Sequence, residues 1–179
     1  MKKILLFFIA FFFVSCTKWL PVPFGSDTFE VREGYLLLEK INENIRKQLP
    51  KTQKVGSNSI KILSVIVYPG NNKKSLIVDS DFIFKSFEIP EGVEVVARSY
   101  AKITYNPKNK EFHLNDVTVK KIKFLKEELL EYVSPMQEKF INDELKYELE
   151  NLILHKSKKK LKKIKSFIVN KGKIKIVFE

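Results

Sequence analysis

SLIVDSDFIFKSFEI, residues 75–89, alternates: Leu76, Val78, Phe82 and Phe84 share one parity, while Asp79, Asp81 and Lys85 hold the other. Successive side chains of a strand point to opposite faces, so this stretch predicts a strand with one covered and one solvated face. Asp79 and Asp81 then stand together on the solvated face. Two carboxylates can hold a cation only with further oxygen ligands, and no second acidic cluster lies near them in sequence. Pro90 and Gly92 close the strand.

The same period extends in both directions. SIKILSVIVYPGNN (59–72) is a β-branched run closed by Pro69, Gly70 and two asparagines. VEVVARSYAKITY (93–105) places Val93, Val95, Ala97, Ala101, Ile103 and Tyr105 on one face, and NPKNK separates it from EFHLNDVTVKKIKF (111–124). Four long strands with short turns predict an antiparallel meander. In the last strand the apolar positions run Phe112 and Leu114, then Val117 and Val119, then Ile122 and Phe124. Parity changes twice, which predicts bulges in a curved sheet.

Helical spacing flanks this block. A short strand, TFEVR (28–32), leads to an expected helix over 33–48 with Leu38, Ile41 and Ile45 on one stripe and Pro50 beyond its end. From Leu125 a long helical region is expected, with Leu129, Tyr132 or Val133, Met136 and Phe140 at spacings of three and four. Ser134-Pro135 within it is either a kink or the cap and first position of a second helix. Residues 147–154 fit a helix or a strand. Asn170, Lys171 and Gly172 separate two short C-terminal strands. The expected fold class is α+β: a curved antiparallel four-stranded meander plus a C-terminal hairpin, packed around a long helix, in one domain over 28–179.

MKKILLFFIAFFFVS (1–15) has the plan of a secretory signal: Lys2 and Lys3, an apolar run from Ile4 to Val14, and small Ser15 before Cys16. The run is shorter than the roughly 20 apolar residues that a membrane-spanning helix needs. Cys16 is the only cysteine in 179 residues, so it has no disulfide partner within the chain. Phe13, Val14, Ser15 and Cys16 resemble the lipobox of bacterial lipoproteins, which implies cleavage before Cys16 and acylation of its thiol and amine. Residue 17 is threonine and not aspartate, which in the sorting pattern this resembles implies the outer membrane, with the domain in the periplasm. TKWLPVPFGSD (17–27), with two prolines and a Gly-Ser pair, suits an extended tether.

Charge is strongly positive: Lys+Arg 33 against Asp+Glu 21, a formal +12 that becomes +10 when Lys2 and Lys3 leave with the signal. Such a balance favours polyanions, and in an envelope these are lipid headgroups and acidic polymers. Seven of the ten residues from Lys156 to Lys165 are lysine. Lys158, Lys159, Lys160, Lys162 and Lys163 therefore form either an ordinary solvated helix face or a contact for an anionic surface. Interleaved aromatics are missing from the run, and the signal argues against nucleic acid as a partner.

Catalytic groupings are scarce. His113 and His155 have no serine, cysteine or carboxylate at a spacing that places it beside them predictably. No enzyme activity, metal or cofactor is expected. Apolar faces are abundant, with Phe counted 15 times. Phe82, Phe84, Val95, Ala97, Ala101 and Ile103 on the sheet, with Val133, Met136 and Phe140 on the helix, are the residues expected to line any apolar ligand site between them.

The order of lipidated cysteine, strand and helix, meander containing SLIVDSDFIFKSF, proline-interrupted helix in YVSPMQEKF and terminal KKLKKIKSFIVNKGKIKIVF resembles the YceB-like family of small Gram-negative lipoproteins. That resemblance implies a helix wrapped by a curved sheet, similar to one half of the tubular lipid-binding folds, and carries no catalytic residue. The expected function is a membrane-anchored, non-enzymatic lipoprotein that binds a lipid or other apolar ligand. The alternative is an interaction module with a filled core that contacts an envelope protein or cell-wall polymer.

Overall fold

The computed structural model describes residues 34–126 and 133–179. Leu76–Lys85 forms a strand that buries Leu76, Val78, Ser80, Phe82 and Phe84 and turns the intervening residues outward. The strands are β1 (Tyr35–Leu37), β2 (Lys51–Val55), β3 (Asn58–Pro69), β4 (Leu76–Lys85), β5 (Val93–Asn106), β6 (Glu111–Phe124), β7 (Ile153–Lys156), β8 (Ile164–Asn170) and β9 (Lys173–Phe178). Helix α1 (Leu38–Arg46) follows β1, and helix α2 (Pro135–Glu150) lies between β6 and β7. Strands β2 to β7 form a six-stranded antiparallel sheet in chain order, and β1, β9 and β8 form a three-stranded one in the order β1-β9-β8.

This architecture overturns the expected long helix packed against a four-stranded meander with a C-terminal hairpin. Among the described residues strand dominates, the sheets have six and three members, and the helices are short, at nine and sixteen residues. Strands β3 to β6 are the middle of a larger sheet. KTQKV joins as β2 although four of its five side chains are polar and none is buried, because the ladder to β3 holds it through the backbone. Segment 147–154 divides: α2 continues to Glu150, and Ile153–Lys156 becomes the far edge. The hairpin β8–β9 takes up β1 as a third strand, Leu36 pairing with Ile174. Helix α1 starts at Leu38, not near Glu33, because Gly34 turns the chain with φ +71° and residues 35–37 are committed to β9.

Ser134-Pro135 is a helix start. The Ser134 hydroxyl accepts the Gln137 N–H at 3.3 Å, the Gln137 side chain accepts the Ser134 N–H at 2.8 Å, and Pro135 occupies the first position, where its missing N–H costs nothing. Leu129 and Tyr132, expected on the same helix, lie outside the described residues, as do TFEVR, the signal segment and Cys16.

Both parity changes in β6 are bulges. Arg98 faces Lys121 while Ser99 faces Val119, which leaves Lys120 extra; Tyr100 faces Thr118 while Lys102 faces Asn115, which sets Asp116 and Val117 against Ala101. Asp116 adopts φ +53°, and the displaced Val117 N–H donates to Glu150 Oε1 at 3.1 Å, at the end of α2. Each bulge returns apolar side chains to the inner face, so that Leu114, Val117 and Phe124 are all buried.

The six-stranded sheet curls until α1 fills the gap between its limbs. Asn42 gives its Nδ2 to the Val67 carbonyl (3.0 Å) and accepts the Val67 N–H (2.8 Å), so this residue of β3 faces away from β4. Gln48 does the same to Ile153 of β7, at 2.8 and 3.0 Å. These strand edges look in opposite directions in a flat sheet, and one helix can serve both only if the sheet bends round it. Leu38, Ile41 and Ile45 of α1 then enter the same core as Phe82, Phe84 and Phe112 from the sheet, Ile141, Leu145 and Leu149 from α2, and Leu36, Ile174 and Ile176 from the smaller sheet.

Candidate functional site

Burial of Leu38, Ile41 and Ile45 fixes which face of α1 meets solvent. Lys40, Glu43 and Asn44 lie on the other face, and Lys47 and Gln48, just past its end, continue the same side at spacings of three and four. Asn44 Nδ2 donates to the Leu154 carbonyl at 3.0 Å, which with the Gln48 pair holds β7 alongside the helix. Across β7 stands the β5–β6 turn. Lys110, at φ +61°, presents its carbonyl to the Ser157 N–H (2.8 Å) and its ammonium to the Lys158 carbonyl (3.4 Å). Between these elements lies an open cleft of about 660 Å³, lined by Lys40, Lys47, Lys110, Lys156 and Lys158 with one carboxylate, Glu43.

Glu43 is already engaged. Lys40 and Lys47 approach it at 2.9 and 3.1 Å, and the hydrogen bond from Lys40, then that from Lys47, hold its carboxyl below the usual range. At the rim, Lys156 reaches Glu111 at 3.0 Å, and that bond is the main cause of a lowered Glu111 carboxyl, with His113 at 3.4 Å a smaller one. Among the described residues two carboxylates thus face five lysines, a positive balance suited to phosphate or carboxylate groups.

The lysine run is an extended strap and not the face of a helix. Buried Ser157 closes a local turn by donating its hydroxyl to the Lys159 carbonyl (2.7 Å). The Leu161 N–H donates to the Tyr105 hydroxyl (3.2 Å), and the Lys163 carbonyl accepts the Glu179 N–H (3.0 Å). Leu161 and Ile164 turn inward against the core, so Lys158, Lys159, Lys160, Lys162 and Lys163 turn outward and are exposed. The structure therefore brings Lys158 to the cleft, while Lys160, Lys162 and Lys163 border a second groove, of about 470 Å³, beside Tyr105, Pro107 and Phe167.

The residues expected to line an apolar site separate into three groups. Phe82, Phe84, Val95, Ala97, Ala101 and Ile103 are core, none more than 7% exposed, whereas the wall of a lumen wide enough for an acyl chain would leave surface that a water-sized sphere could touch. Val133 and Phe140 are half-buried against that core, with the Phe140 ring 6.3 Å from Phe84. Met136 is a correction: at 83% exposed it points to solvent, because the first turn of α2 directs Gln137, not Met136, toward the interior.

The acidic pair on the outer face of the sheet is occupied by structural contacts. Arg98 donates two hydrogen bonds to Asp79, both at 2.7 Å, and Ser64 donates to Asp81 at 2.6 Å, so this carboxylate pair ties β3, β4 and β5 together on the outer face. His155 packs its ring on Phe112 at 5.9 Å. No group of three histidine, cysteine or acidic side chains that could hold a metal ion occurs among the described residues. Asn44, Gln48, Asn109 and Lys110 are site residues that sequence reasoning missed. The one available signal was Lys40 and Lys47, seven apart on the polar side of an expected helix. No family model and no curated protein matches the chain, so the resemblance to the YceB-like family brings no residue role to the cleft.

Proposed function

We propose that the chain is an outer-membrane lipoprotein, held by acyl chains on Cys16, whose domain is a non-enzymatic binding module for a phosphate- or carboxylate-bearing envelope polymer. The observation that carries this reading is the convergence of Lys40 from α1, Lys47 from its C-terminal cap, Lys110 from the β5–β6 turn, and Lys156 and Lys158 from the end of β7 and the strap on one open cleft. The close burial of Phe82, Phe84 and Val95 favours a filled interior over an apolar ligand between helix and sheet.

Co-sedimentation of the mature chain with purified cell-wall sacculi tests it. Binding is expected to weaken steeply from about 0.05 to about 0.5 M salt, as the screening length shortens, and to be lost in Lys47→Glu/Lys110→Glu. Binding that ignores both salt and these substitutions, or no binding at low salt, would overturn the proposal.

A further inference from the structure

We infer that the lysine strap, residues 158–165, is the face that lies against anionic lipid headgroups of the membrane holding the chain, so that strap and anchor together orient the domain. Two independent features of the fold point there. One is the place where the N-terminal part of the chain enters the domain. The Gly34 carbonyl accepts the Ile176 N–H at 2.6 Å, and β1 runs antiparallel to β9, so moving from Tyr35 toward the N-terminus is moving along β9 toward Phe178 and Glu179. That end of β9 is where the strap finishes: Phe178 pairs with Ile164, the Glu179 N–H donates to the Lys163 carbonyl at 3.0 Å, and the Lys163 ammonium meets the Glu179 side chain at 2.8 Å. The order β1-β9-β8 thus puts the entry point level with Phe167 and two strand spacings, about 10 Å, across the sheet from β8.

The second feature is charge. Lys158, Lys159, Lys160, Lys162, Lys163 and Lys165 are all exposed, and Glu179 is the one carboxylate paired with any of them among the described residues. The backbone hydrogen bonds of Leu161 and Lys163 and the inward Leu161 and Ile164 hold the strap in place, so its ammonium groups are arrayed on a fixed surface before any membrane is met. From Cys16 to Gly34 the chain spans at most about 60 Å. That reach does not by itself fix which face meets the bilayer; the strap lysines beside the entry point do so, because basic side chains act within about a Debye length of the headgroups.

The orientation rests on Cys16 being the acylated residue, but the affinity of the strap does not. The test uses the mature chain with Cys16→Ser, so that no acyl chain contributes, and vesicles of phosphatidylcholine with or without about one third phosphatidylglycerol. Binding to the anionic vesicles alone is expected. It should fall on the order of a hundredfold in Lys159→Gln/Lys160→Gln/Lys162→Gln and stay unchanged in Lys47→Gln/Lys110→Gln. Thermal melts matching the parent chain would show that the exposed substitutions leave the fold intact. Absence of binding to the anionic vesicles, or equal loss from the cleft pair, overturns the strap proposal even if sacculi bind through the cleft. A membrane-extracted chain whose Cys16 carries no acyl group overturns the anchored orientation instead.

Discussion

The interior of the curled sheet and its lysine-rich end are built on opposite terms. Along β4 and β5 the inner positions are buried and mostly apolar, Ser80 and Ser99 being the polar exceptions, and on the outer face Asp79 is matched across strands by Arg98. Around the strap and cleft, backbone hydrogen bonds fix the chain while lysines outnumber the carboxylates among the described residues. Selection for stability alone favours the first arrangement, because surface charges of one sign repel and add little to folding. The difference locates stability in the sheet and places the working surface at the lysines.

The strongest way to break that division is from inside. Phe84, fully buried and in ring contact with Phe140, should cost about 3–5 kcal/mol when changed to Ala, read as a lower denaturation midpoint, with no change in sacculus affinity for the molecules still folded. A coupled loss of affinity would mean that the interior takes part in binding. Next comes the Lys51–Glu148 pair, 2.6 Å apart, in which the carboxylate of α2 is almost wholly buried and the lysine of β2 partly exposed. Lys51→Met strands that carboxylate and should cost about 3 kcal/mol, while adding Glu148→Gln should recover much of it in a double-mutant cycle.

The smallest effect joins the two regions. Glu111 has a folded-state pKa below its unfolded value, so its contribution to stability is present above the unfolded pKa and is lost as pH falls through the folded one. Glu111→Gln should therefore flatten the acid side of the stability profile and cost less than about 1 kcal/mol near pH 7, because Lys156 is largely exposed. It also releases Lys156 to the cleft. Sacculus binding should strengthen as stability falls, and binding that weakens instead would contradict the assignment of the cleft.

How much of this could be read in the chain follows from where each element finds its partner. Strands β3 to β6 were legible because one face of each is buried, and the parity breaks at Leu114–Val117 and Val119–Ile122 marked both bulges. Ser134-Pro135 carried a cap. By contrast β2 is polar, and β1 pairs with a strand at the opposite end of the sequence, so neither leaves a local pattern. The lysine run announced its charge but not its conformation, which depends on Tyr105, Lys110 and Glu179. The cleft was hidden for the same reason: Asn44 and Gln48 acquire a role only when β7 arrives beside α1.

Native mass spectrometry of the chain purified from membranes tests the solid interior most directly. One folded species is expected, with the mass of the acylated polypeptide alone, unchanged by unfolding. A stoichiometric apolar molecule that stays bound through native ionisation and leaves only when the protein unfolds would contradict it.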